Sequence, residues 1–150
     1  MSTMWLYSNK TLKVEEIPDK AIGFIYKITC IKDGRWYIGR KLLTKAATKT
    51  VAGKKKKIRK ESDWVDYWSS SPSLLAEIGI NGRDKYKREI LMFVETKAAI
   101  AYAEEYALFI TGALFDPKCY NGNIRAKIMR TWFAKTPNLH KDLEALGLKF

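Results

Sequence analysis

The sequence predicts an α+β domain in which helices flank a small antiparallel sheet of three strands. Three observations lead there. Aromatic and β-branched residues alternate over residues 22–30, and after Asp33-Gly34 a second run, Trp36-Tyr37-Ile38-Gly39, begins a return strand. Residues 86–95 read as a third strand. Around these runs lie helix-start and helix-stop residues, so the elements follow the order β-β-α-β-α-α-α.

Taken in order, residues 1–21 form a lead-in with a short strand around residues 12–14. The hairpin comes next. If Asp33-Gly34 makes a two-residue type I′ turn, Tyr37 faces Cys30 and Tyr26 faces Lys41. Both tyrosines then share one face of the sheet, offset by four residues, or roughly 13 Å along the strands. They either pack that face or carry chemistry on it. Residues 46–60 contain Gly53 and show no apolar period, which predicts a mobile loop. Ser71-Pro72 starts a short helix that Gly79 ends. Thr96 caps a longer helix, 97–111, closed by Gly112. After Asp116-Pro117 an irregular piece, 119–123, leads to two more helices, 125–134 and 137–146. The last is amphipathic through Leu139, Leu143 and Leu146, and Gly147 ends it. The division is thus a lead-in (1–21), a main domain (22–124) with a basic insertion (40–60), and a helical tail (125–150) packed on the same domain.

Charge says more about function than composition does. The chain carries 28 Lys+Arg against 16 Asp+Glu, a net charge of +12. Ten of those cations, Arg40, Lys41, Lys45, Lys49, Lys54, Lys55, Lys56, Lys57, Arg59 and Lys60, fall within residues 40–60, which hold no acid. Such a field attracts a polyanion, since every neutralised phosphate releases counterions. A solvated loop is the plainer reading, and RNA or an anionic membrane shares the electrostatic class. With 47% hydrophobic residues the chain is not disordered as a whole. Two cysteines, Cys30 and Cys119, stand in no metal-binding spacing and fit a reducing compartment, so a cytoplasmic location is expected. No signal sequence is read at the N-terminus. The longest apolar stretch, 98–115, is broken by Glu104 and Glu105, which argues against a membrane span.

His140 is the sole histidine, which excludes hydrolysis by paired histidine ligands. Tyrosine, arginine or lysine, glutamate and a metal remain for phosphodiester chemistry. Glu104 lies on a stripe formed by Ile100, Ala103, Ala107 and Leu108, while Glu105 falls toward the other side with Ala101 and Tyr102. A carboxylate on a buried stripe calls for a partner. That partner is either one of the many basic side chains or a Mg²⁺ ion, which takes one or two protein carboxylates plus waters and phosphate oxygens.

The hairpin also reads as a motif. Gly23-Phe24-Ile25-Tyr26, followed by Tyr37-Ile38-Gly39, resembles the pair that names the GIY-YIG endonucleases. In detail the chain looks like the phage-encoded members of the homing and T4 endonuclease II type. The basic insertion is followed by Glu61-Ser62-Asp63-Trp64, Tyr67 and Ser70-Ser71; then come Arg88-Glu89-Ile90-Leu91, Glu104 and Tyr120-Asn121. The resemblance implies a small nuclease fold and a Mg²⁺- or Mn²⁺-dependent endonuclease acting on DNA in the cytoplasm, the host's if the chain is phage-encoded. It implies Tyr26 as, or beside, the general base for water. Tyr37 would hydrogen-bond the nucleophile or phosphate, Glu104 would hold the metal, and Asn121 would support the site. The family's phosphate-clamping arginine is replaced by Ala47, and Arg40, with Lys45 second, is expected to substitute. Nucleic acid is expected to meet Lys41, Lys49, Lys54, Lys55, Lys56, Lys57, Arg59, Lys60, Arg88 and Arg125. In the tail, Lys127, Arg130 and Trp132 are placed to add contacts. A monomer and a homodimer both fit. The alternative is a non-catalytic module of the same fold that binds nucleic acid.

Overall fold

A computed structural model describes residues 4–125 and 128–147. The strands are β1 (Leu6–Tyr7), β2 (Lys10–Thr11), β3 (Gly23–Cys30), β4 (Trp36–Leu42), β5 (Thr44–Val51), β6 (Lys54–Glu61) and β7 (Tyr86–Val94). The helices are α1 (Pro72–Asn81), α2 (Lys97–Ile110) and α3 (Leu139–Leu146). The class is α+β, but the sheet departs from the three strands expected. Five strands form one mixed sheet in the order β2-β1-β7-β3-β4, and β5 and β6 pair as a separate two-stranded ribbon. The first residues enlarge the sheet because Trp5 and Leu12 are buried in its core, which lays β1 parallel to β7. The strand expected around residues 12–14 is absent; a 3₁₀ turn, Val14–Glu16, follows β2 there.

The β3–β4 hairpin is in a different register from the expected one. Its loop has four residues, 31–34, because the Gly34 amide donates to the Cys30 carbonyl while Cys30 and Arg35 close the ladder. Tyr26 therefore pairs with Gly39, and Tyr37 with Ile28. The two tyrosines do share a face, but they are offset by two residues, with ring centroids 6.1 Å apart. On the other side of β3 a bulge between Ile25 and Tyr26 leaves Leu91 of β7 as the extra residue. That shift lets Ile90 and Phe93 both serve the same face.

The sheet is covered on both sides. Phe24, Tyr26 and Ile28 of β3 pack with Trp5, Trp64, Trp68, and Leu74 and Ile78 of α1. Ile25, Trp36 and Ile38 point the opposite way, toward α2 and α3. Ser71 caps α1 by accepting from the Leu74 amide, as its spacing predicts, but the helix runs through Gly79 and stops at Gly82. Thr96 caps α2 in the same way, and Gly112 follows that helix in the left-handed region. Of the helix expected over 125–134, the described residues hold only the 3₁₀ turn Arg130–Phe133; residues 126–127 lie outside them. The final helix, α3, ends at Gly147 as expected.

Candidate functional site

A free edge of a sheet needs cover, and β4 finds it in residues 118–121. The Trp36 amide donates to the Lys118 carbonyl, and the Tyr120 amide donates to the Trp36 carbonyl. Asn121 completes the edge with its side chain: Oδ1 accepts from the Ile38 amide at 2.9 Å and Nδ2 donates to the Ile38 carbonyl at 2.8 Å. Along this edge runs a cleft of about 440 Å³. Strand alternation decides what enters it. Tyr37 projects on the α1 side, where its hydroxyl lies 3.3 Å from that of Ser70. Arg40 shares a face with Ile38, turned toward α2, and its Nε stands 3.9 Å from Oε1 of Glu104. Tyr37, Arg40, Glu104, Asn121 and Arg125 thus line one cleft, contributed by β4, α2 and the segment after α2.

Tyr26 does not line it. This phenol is fully buried (0% exposed), and its hydroxyl is enclosed beside the Tyr67 and Ser69 hydroxyls. Burial first, then the neighbouring Tyr37 and Tyr67, push its pKa well above the ordinary value. Tyr37 is also raised, chiefly by desolvation, although the Ser70 hydroxyl opposes that. The phenol that faces the cleft is Tyr37's.

Both glutamates of α2 face the cleft, which revises the sequence reading. Glu105, placed on the opposite side by helical periodicity, is the more buried at 6% exposed, and its Oε2 has no hydrogen-bond partner. Burial raises the pKa of each carboxyl, and the Arg40 guanidinium pulls each back down. Among the described residues no three His, Cys, Asp or Glu side chains cluster to hold a metal.

The basic residues divide. Lys45, Lys41 and Arg59 line a neighbouring groove of about 610 Å³ that meets the cleft at Arg40. Lys41 is engaged by Asp63 at 2.6 Å and lies 4.0 Å over the Tyr67 ring. Lys49, Lys54, Lys55, Lys56, Lys57 and Lys60 stand exposed on the ribbon, which replaces the expected mobile loop. Ala47 also lies on the ribbon, opposite Ile58, so a side chain there belongs to a different surface from Glu104. Arg88 cannot serve as a phosphate contact in this fold. It is 4% exposed, its guanidinium lies between Trp5 and Trp68, and Nη1 donates to the Val65 and Tyr67 carbonyls. Lys127 lies outside the described residues.

Sequence reasoning missed a network that holds Tyr120, one of the residues lining the cleft. Glu77 of α1 accepts from the Arg35 guanidinium at 2.6 Å and from the Tyr120 hydroxyl, and Arg35 also stacks over the Tyr120 ring. These side chains are separated by more than 40 positions at each step, and no local pattern announces them.

Comparison with known proteins adds one finding. Residues 5–124 match the family described as "Putative endonuclease segE, GIY-YIG domain". A search of curated proteins and a search of solved structures each returned no match.

Proposed function

The chain belongs to the GIY-YIG family, whose domain spans residues 5–124, and from that membership we propose that it is a metal-dependent endonuclease hydrolysing DNA phosphodiester bonds. The observation that carries the reading is the cleft at the edge of β4, where Tyr37, Arg40 and Glu104 meet beside the Asn121 clamp. A module that only bound nucleic acid would gain nothing from carboxylates in its phosphate site, because they repel the ligand unless a cation intervenes.

In this reading Glu104 holds one divalent cation, Mg²⁺ or Mn²⁺, whose chemistry is to stabilise charge developing on the phosphate. Arg40 grips a phosphate oxygen in place of the arginine that Ala47 lacks. Tyr37 hydrogen-bonds the attacking water or the phosphate, held in its rotamer by Ser70. Tyr26, sealed behind it, supports Tyr37 from the core. Asn121 fixes the backbone of β4 from which Tyr37 and Arg40 project. Arg125 and the groove containing Lys45 and Arg59 extend the phosphate track. No helix among the described residues is long and apolar enough to cross a membrane.

Nicking of supercoiled plasmid tests the proposal. The wild type is expected to nick with Mg²⁺ or Mn²⁺. Glu104→Ala is expected to bind DNA but cut slower by on the order of a hundredfold or more, the scale of losing an electrostatic stabiliser. The second reading, a binding module, has Ala47 in its favour. It prevails if the wild type binds DNA and cuts with neither metal.

A further inference from the structure

Burying a carboxylate without a partner is among the costliest choices a sequence can make. Glu105 makes it. The residue before it already supplies the family's acid, and the positions around it on α2, Ala103, Ala107 and Leu108, are buried and apolar. An apolar residue at this position would pack without penalty. Instead the side chain lines the cleft, 6% exposed, with Oε2 shut off from solvent and unpartnered. Arg40 stands 3.9 Å from Glu104 and its charge also acts on Glu105, yet Oε2 of Glu105 receives no hydrogen bond.

We propose that Glu105 is a second carboxylate of the cation site, acting with Glu104 on the same divalent ion. The inference rests on the metal-dependent reading above. Charge balance supports it: two carboxylates match one divalent cation and leave Arg40 and Arg125 for the phosphate. The donor count also suits Mg²⁺ or Mn²⁺, which accept one or two protein carboxylates and fill the remaining positions with water and phosphate oxygens. Glu105 completes this site directly or through a metal-bound water, and in either form its removal weakens ion binding.

The test is a titration of Mn²⁺ alone, followed by the electron paramagnetic resonance signal of the free ion, with the wild type, Glu104→Gln and Glu105→Gln. Metal-free melting is recorded for each. Glu105→Gln is expected to melt at or above the wild-type temperature, since a buried charge is gone. It is expected to bind Mn²⁺ roughly ten- to a hundredfold more weakly, the usual loss when a supporting group leaves a metal site. Should the amide fail to fold, Glu105→Ala is titrated in its place. If the Glu105 variant binds as the wild type does while Glu104→Gln loses the ion, Glu105 has no part in the site and the metal-dependent reading stands. If the wild type binds no Mn²⁺, or Glu104→Gln binds as well as wild type, the reading of the site fails and takes this inference with it.

Discussion

At Gly39 a β-carbon would stand 2.6 Å from Cζ of Tyr26 and 2.9 Å from Cε1 of Tyr37, and it would run into the Tyr26 hydroxyl. The glycine of the second motif is therefore tied to the tyrosine of the first by packing, because the register sets them opposite each other. Gly39→Ala is expected to cost about 1–3 kcal/mol, the range for overpacking a core. In a Tyr26→Phe background the alanine should cost less, since the atom it meets first is gone. Tyr26→Phe alone should cost no more than about 1 kcal/mol, as the buried hydroxyl it removes has only the Tyr67 and Ser69 hydroxyls beside it and no close, well-aligned hydrogen bond. A double-mutant cycle by urea denaturation measures all three; additive costs at the two positions would overturn the packing argument. Why the motif residues recur together was legible in the sequence only as a pattern. The residues read there as a set were Tyr26, Tyr37, Arg40, Lys45, Glu104 and Asn121; the cleft gathers Tyr37, Arg40, Glu104 and Asn121, while Tyr26 lies in the core and Lys45 in the neighbouring groove. Glu105 was not in that set, because helical periodicity says which side of α2 faces the sheet. It does not say that the segment after α2 folds back and buries the flank.

The ribbon of β5 and β6 shows how an element can evade sequence reading. Lysines occupy both of its faces, so no alternation of apolar and polar residues marks the strands. One signal was present: Ala52-Gly53, both at positive φ, make the two-residue turn that right-handed strand twist favours. The pairing sets Lys45 opposite Lys60 and Lys49 opposite Lys56, and none of the ribbon's residues is buried. Like charges across a ladder destabilise it, and a two-stranded ribbon has little stability of its own. A polyanion removes that repulsion. Replacing Lys54, Lys55, Lys56 and Lys57 by alanine should leave the melting temperature unchanged or slightly raised, since the core is untouched and the repulsion between Lys49 and Lys56 is gone. DNA affinity should fall, and the slope of log K against log salt should shrink by roughly one for each phosphate that the ribbon no longer neutralises. An unchanged slope would mean the ribbon does not touch the backbone. The first residues evaded reading for another reason: β1 and β2 have two residues each, and only the burial of Trp5 makes them strands of the sheet.

At the scale of the molecule, two sets of carboxylates differ in what surrounds them. Glu104 and Glu105 face the cleft and are raised by burial. Glu77, Asp63 and Asp116 join separate parts of the chain and are held below the ordinary carboxyl range by their donors. For Glu77 the Tyr120 hydroxyl contributes most and the Arg35 guanidinium next, so one side chain ties α1 to the first hairpin and to the segment that clamps β4. Because its folded pKa lies below the ordinary 4.5, its stabilisation is complete above that pH and is lost as pH falls through the folded value. Glu77→Gln should therefore lower the Tm at pH 7 by about 2–4 °C, the effect of losing roughly 1 kcal/mol in a chain of this size. On acidification the wild type surrenders the same contribution, so the gap between the two should close as pH falls from 4.5 through the folded value. Melting followed by circular dichroism from pH 3 to pH 7 checks this. A constant gap at every pH would mean that Glu77 acts through shape alone, and the charge of the network would then have no share in joining α1 to Arg35 and Tyr120.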